Sequence, residues 1–289
     1  AAIFGVAVGP VVNGQTVANF QDKNSYDDLS PMISLSYALG EDTNLYVKYS
    51  EAFKSGGFNV DFVSESALSD GIAFDQETVE AWEIGLKGTA LENRLRYNLV
   101  AFQMDFELNQ FVQLANNTST ITIRNAAEVS SRGLEAEVTY YPTNNLMLQA
   151  AIGYNDAEFD SFPGGASVRN PAGLGADLGG NKLPDAPEWT SALAVQHNLP
   201  LAALNAELVT RVDRTYSDSF YSSEDNVSFA RPGSSLVWGE VDSYSLLNGR
   251  IGLEAESWSI YLWGRNILDK EYDQTWTSDF LGTVANFPG

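Results

Sequence analysis

The sequence predicts an all-β fold, an antiparallel up-and-down transmembrane β-barrel of about ten strands. Three observations lead there. Apolar and polar residues alternate with a strand's period of two in segment after segment. The connections alternate between short turns and long loops. The polar member of each alternation is often charged, which a dry core does not accept.

Residues 132–155 show the pattern most clearly. Leu134, Ala136, Val138 and Tyr140 fall on one side of the first arm, Glu135, Glu137, Thr139 and Tyr141 on the other. Pro142, Thr143, Asn144 and Asn145 supply turn chemistry, because proline presets φ and asparagine tolerates left-handed geometry. The return arm sets Leu146, Leu148, Ala150, Ile152 and Tyr154 against Met147, Gln149, Ala151, Gly153 and Asn155. Each arm is about ten residues long, close to what a tilted strand needs to cross a bilayer.

The remaining elements follow in order. Residues 1–25 read as a loop-like end. Residues 30–38 alternate, with Ile33, Leu35 and Tyr37 on one face, and residues 40–43 turn the chain. Residues 44–54 return with Leu45, Val47 and Tyr49 opposed to Tyr46, Lys48 and Ser50, and a long irregular stretch covers residues 55–77. Residues 80–88 set Trp82, Ile84 and Leu86 against Glu83, Gly85 and Lys87. A tight turn at residues 91–93 leads into a strand over 94–112. Its phase changes: Leu95, Tyr97 and Leu99 share one parity, Phe102, Met104 and Phe106 the other. That change predicts a β-bulge near Val100 and Ala101, with a misplaced strand boundary as the alternative.

Beyond the central hairpin, residues 160–183 read as a loop, 189–197 as a strand and the region of Pro200 as a short turn. Leu204, Ala206, Leu208 and Val212 then alternate with Glu207, Arg211 and Asp213. A second long loop covers residues 217–240. Leu247, Ile251 and Leu253 against Asn248, Arg250 and Gly252 make the next strand, a turn at 254–258 gives a strand over 259–268, and 269–289 form a loop-like tail.

Short turns on one side and long loops on the other describe an outer-membrane barrel rather than a sandwich. Tyr37, Tyr140, Tyr141 and Trp258 fall beside the short turns, Tyr49, Tyr154 and Trp189 nearer the long loops, as two interfacial girdles would. Lys48, Glu83, Lys87, Arg96, Glu135, Glu137, Glu207, Arg211, Asp213 and Arg250 share the inward parity and suit a hydrated lumen in which acids and bases pair across strands.

Composition narrows the function classes. The 289-residue chain holds 38 acidic and 16 basic residues, a net charge of −22. Nucleic acid is excluded as a partner, since its recognition needs a basic footprint. With no cysteine there is neither a disulfide framework nor a thiolate metal site. The single histidine, His197, cannot make a zinc site or support a triad, so no catalytic residue, metal site or cofactor is expected. The N-terminus lacks a basic region and is broken by Gly5, Gly9 and Pro10, unlike a signal peptide.

Several stretches resemble the barrel of TonB-dependent outer-membrane receptors: LYVKYSEAFKSGGFN at 45–59, ETVEAWEIGLKG at 77–88, RGLEAE at 132–137, LPDAPEW at 183–189 and LWGRNILDKEY at 262–272. Their order and spacing extend over residues 26–272. The resemblance implies that residues 1–289 form a single, partial barrel domain, part of a larger barrel of about 22 strands whose lumen is closed by a separate N-terminal plug. The plug, the TonB-contacting segment and one last strand are expected to lie outside this sequence. It also implies a Gram-negative outer membrane and energy-dependent uptake of a scarce ligand, a ferric siderophore or similar. The partners implied are outer-membrane lipid, the plug, a TonB-type energy-coupling protein and a small-molecule ligand. A passive porin-like or structural barrel is the alternative.

Ligand contacts are expected from the long loops, which form the outer mouth. Tyr216, Phe220, Tyr221 and Trp238 offer flat amphipathic surfaces, and Arg231 offers a planar cation for an anionic ligand. Packing of these aromatics within their own loop is the alternative.

Overall fold

The structure, a computed structural model, describes residues 2–8, 20–59, 72–114, 121–165, 177–226, 229–230, 237–278 and 284–288. Its main element is a ten-stranded antiparallel sheet in which every strand pairs with its neighbour in sequence. The strands are β1 (Met32–Ala38), β2 (Thr43–Lys54), β3 (Glu77–Ala90), β4 (Leu95–Leu114) and β5 (Ile121–Thr143). They continue as β6 (Leu146–Ser161), β7 (Trp189–Leu201), β8 (Ala206–Ser217), β9 (Tyr244–Ala255) and β10 (Ser259–Gly264). β1 and β10 are the two edges, so the sheet is open. No described helix is long and apolar enough to cross a membrane, which leaves crossing to strands.

The register carries the predicted alternation across the whole sheet. Lys48 opposes Glu83, Asn98 opposes Glu137, and Asp213 opposes Asn248, so the predicted inward residues share one face. The other face is apolar and exposed. Leu35 is 73% exposed, Ile84 48%, Leu134 58%, Val195 49% and Leu262 74%. In water such a surface would be far larger than a monomer tolerates. Against lipid it is the required outer wall of a barrel. Tyr49 packs on Trp82 and Tyr154 on Trp189, with ring centroids 4.7 and 4.8 Å apart, at the long-loop end of that wall.

The predicted bulge at Val100 and Ala101 is not there. β4 pairs without interruption from Leu95 to Phe106 with β5, and the irregularity falls between Phe106 and Asn109, where Leu108 has φ of 53°. The parity change has another cause. β4, β5 and β6 run on past the aromatic girdle, and beyond it the outer face meets water instead of lipid. Gln103, Asp105, Arg132 and Asp156 take the outer positions there. The apolar residues change to the inner side, where Ala127, Val129, Phe159, Phe162 and Leu178 form a buried cluster against Phe106, Phe111 and Leu183.

Three boundaries also differ from expectation. Pro200 lies inside β7, opposite Glu207, and the turn falls on a short 3-10 segment at Ala202–Leu204 closed by Asn205 in left-handed geometry. The ends expected as loops, 1–25 and 269–289, each carry a two-stranded ribbon: Ala2–Val8 with Phe20–Tyr26, and Asp273–Ser278 with Val284–Pro288. A strand needs a partner more than it needs intrinsic preference, so glycines and polar runs did not prevent pairing.

Candidate ligand-facing mouth and lumen wall

The inner face is a connected polar surface. Lys48 Nζ lies 2.7 Å from Glu83 Oε2, and Tyr46 Oη donates to Glu83 Oε1 at 2.6 Å. Arg211 donates to Asp213 Oδ1 at 2.6 Å and to Gln149 Oε1 at 3.0 Å. Next to this group, Ala151, Ala192 and Ala194 floor a recess of about 320 Å³ rimmed by Glu137, Gln149, Arg211 and Asp213. Small side chains between charged ones make the wall concave and wettable.

Two tyrosines lie flat on this wall over glycines. Tyr46 covers Gly85, with the Lys87 ammonium 5.6 Å from its ring centre and its hydroxyl on Glu83. Tyr261 covers Gly252, with the Arg250 guanidinium 4.8 Å away and its hydroxyl on Glu254 at 2.6 Å. The two sites read Glu-x-Gly-x-Lys at 83–87 and Arg-x-Gly-x-Glu at 250–254. In each, glycine allows the ring to approach the backbone, and the residues two positions either side hold its face and its hydroxyl.

At the mouth, Lys182 joins the loop after β6 to the barrel. Its ammonium lies 2.5 Å from Asp156 Oδ1 and 3.0 Å from Glu188 Oε1, and Arg132 reaches the other Asp156 oxygen at 2.9 Å. Burial alone lowers the Lys182 pKa, but the bonds to Asp156 and Glu188 outweigh it and the net shift is upward. The bonds from Lys182 and Arg132 hold the Asp156 carboxyl below its usual range. The backbone follows the same course: Phe159 N donates to Asn181 O at 2.9 Å, and Leu183 N to Ala157 O at 3.0 Å.

This loop in turn holds the next one. Lys182 N donates to Asn226 Oδ1 at 2.6 Å, and Asn226 Nδ2 returns a bond to Lys182 O at 2.9 Å. Asn181 Nδ2 donates to Glu224 O at 2.9 Å, and Asp185 N to Tyr221 O at 2.8 Å. Lys182, Asn226 and Asp156 were not singled out from the sequence. The available signal was that Lys182 directly precedes LPDAPEW, whose two prolines stop the loop from forming regular structure of its own.

The predicted contact residues separate. Tyr216 sits at the end of β8 on the parity of Leu208 and Val212, the outer face, and its hydroxyl donates to Asp218 at 3.1 Å. Phe220 and Tyr221, both half-buried, pair with Val241 and Glu240 at the base of the loop. Trp238 pairs through its backbone with Phe229 further up the same loop. Arg231 lies outside the described residues. The fold thus brings Phe220, Tyr221 and the Trp238 backbone into one loop and leaves Tyr216 at the girdle. Among the described residues, no group of three or more His, Cys, Asp or Glu side chains is arranged to hold a metal ion.

Comparison with known proteins bears on the fold. The family model described as TonB dependent receptor-like, beta-barrel matches residues 9–267. The chain is 23% identical over 218 residues to the probable TonB-dependent siderophore receptor PiuA of Acinetobacter baumannii, covering 74% of this chain and 28% of that protein. The crystal structure of that siderophore receptor superposes with a TM-score of 0.71 at 19% identity, over 96% of this chain and 36% of the other. The ferric yersiniabactin uptake receptor FyuA from Yersinia pestis gives 0.70 at 17% identity, over 95% and 38%. The unliganded ferric citrate transporter FecA gives 0.67 at 18%, over 94% and 38%. The chain therefore spans between a quarter and two-fifths of the length of these relatives.

Proposed function

The chain belongs to the TonB-dependent receptor-like β-barrel family, and on that premise we propose that it forms the wall of an outer-membrane receptor for energy-dependent uptake of a ferric siderophore or similar chelate. Members of the family are β-barrels of the Gram-negative outer membrane, receptors and transporters by class. The observation that carries the reading is the division of one sheet into two faces. One is apolar, exposed and bordered by aromatic pairs; the other is charged and concave. The first suits lipid and the second suits a solute path.

In this reading no step is catalytic. Ligand binds at the outer mouth, where residues 181–185 and 221–226 dock on each other. Phe220, Tyr221, Arg231 and Trp238 supply contacts, with Tyr216 at the rim. A plug domain fills the lumen, and a TonB-type protein supplies the energy that releases the ligand. The test is uptake of iron-55 presented as a panel of ferric siderophores to cells with and without the full-length gene. One chelate should enter only when the gene is present and the inner membrane is energised. Entry that persists after the membrane potential is collapsed favours a passive pore instead.

A further inference from the structure

Arg214 breaks the apolar pattern of the outer face. It shares the parity of Val212 and Tyr216 in β8 and is flanked across the strands by Leu193 and Leu247. The next row towards the long loops is Ser191, Tyr216 and Ser245, three hydroxyls where lipid tails alone would select apolar side chains. Arg214 is exposed and turns towards that row, its Nε donating to Ser245 Oγ at 2.7 Å. Among the described residues, ion pairs engage Lys48, Arg132, Lys182 and Arg211, whereas Arg214 has no carboxylate partner. Asp213 is held by Arg211, and Asp218 accepts from Tyr216 Oη and Ser219 N, so neither neutralises it. A plug fills the lumen and further strands add at the edges β1 and β10, so neither would cover this part of the outer wall.

We infer that Arg214 and Ser245 form a site for the phosphate monoester of a lipid headgroup in the outer leaflet, with the lipid chains lying on Leu193, Val212 and Leu247. An arginine on a lipid-facing wall is costly at the bilayer midplane and tolerated near its edge, where its head reaches the interface. Arg214 stands one row below the Tyr216 rim, so its head lies at headgroup level. The anion of that layer is phosphate. The bond to Ser245 occupies Nε and leaves both Nη groups, a planar pair of donors that matches two phosphate oxygens. The Ser245 hydroxyl accepts from Arg214 and keeps its own proton to donate to a third oxygen. The same bond holds the guanidinium in place, so it loses less freedom when it takes the anion. Free phosphate would leave the apolar row below Arg214 unused, and a neutral lipid would leave the guanidinium unused.

This site goes beyond the uptake reading and needs only that the outer face meets lipid, so failure of the uptake test leaves it standing. The full-length protein in detergent is titrated with a short-chain phosphatidic acid, a phosphate monoester lipid, and bound lipid is counted by native mass spectrometry. One saturable site is expected, at least tenfold tighter than for phosphatidylcholine with the same chains. Arg214→Gln should weaken it at least tenfold. Arg214→Lys should fall between, because it keeps the charge and loses the planar fork. Ser245→Ala should weaken it about threefold, through the lost hydrogen bonds. Inorganic phosphate should not displace the lipid at the concentrations at which the lipid binds. The Arg214 side chain is exposed, and the heat-modifiable gel mobility of each variant reports whether the barrel has folded. Equal binding of the two lipids, equal binding of phosphatidic acid by folded Arg214→Gln and Arg214→Lys, or displacement by inorganic phosphate at matching concentration would each overturn the assignment.

Discussion

The Tyr46 ring lies so close over Gly85 that a Cβ at residue 85 would run into it. Gly85→Ala must therefore push the ring off the wall and break its bond to Glu83. Overpacking of this kind costs about 1–3 kcal/mol. Thermal unfolding of the full-length protein in detergent should show the loss. Adding Tyr46→Ala to Gly85→Ala should recover part of it, because the clash is then gone. An alanine at residue 85 that costs nothing would show that the ring does not hold this position.

The two faces make opposite predictions at neighbouring positions. Val138 shares the outer parity with Leu134, and Glu137 the inner parity with Glu135. Val138→Arg in the full-length protein should cost about 2–4 kcal/mol near the bilayer midplane. Glu137→Arg should cost well under half of that. Equal responses in a denaturant titration from lipid vesicles would contradict the face assignment.

Lys182 should act as a latch whose hold depends on pH in a stated way. The Asp156 carboxyl is depressed in the fold, so its contribution is present above its unfolded pKa of about 3.9 and is lost as pH falls through the lower folded value. The Lys182 ammonium is raised, so its contribution is full below about 10.4 and fades only above that. Amide exchange of residues 177–188 and 222–226, corrected for its intrinsic pH dependence, should be level between about pH 5 and 9 and rise below about 4. Lys182→Met should raise it between about pH 5 and 9, by about 1 kcal/mol of local opening, and much less below about pH 4. Protection in residues 222–226 that ignores Lys182→Met would show that the loops are not coupled through it.

Removing residues 218–236 from the full-length protein should abolish ligand binding and leave the barrel heat-stable in detergent. The described part of this loop docks mainly on the neighbouring loop and not on the sheet. Unchanged binding would exclude the loop as the contact surface. Loss of folding together with binding would mean that its aromatics serve packing.

How far the sequence could be read follows from what sets each feature. Alternation is a local property, so the strand identities, the strand order and the inward set from Lys48 to Arg250 were legible. The phase change in β4 was visible as a pattern, but its cause was not. A bulge and an exit from the membrane both swap parity, and only the pairing of Phe106 with Val129 against a buried cluster distinguishes them. The Lys182 latch rests on contacts between segments about 26 and 44 residues apart, which no local pattern reports. Tyr216 looked like its neighbours Phe220 and Tyr221 in sequence, and only the register of β8 puts it on the outer face.

One face of this sheet meets lipid and the other meets water. The chain has no cysteine, so single cysteines can be placed without background through residues 132–155 and spin-labelled in the full-length protein in bilayers. Collision with oxygen, which concentrates in lipid, and with a nickel chelate, which stays in water, is then measured at each position. Oxygen accessibility should vary with a period of two, high at 134, 136, 138, 148, 150 and 152, and low at 135, 137, 149 and 151. A period near 3.6, or uniform accessibility to the nickel chelate along both arms, would contradict it.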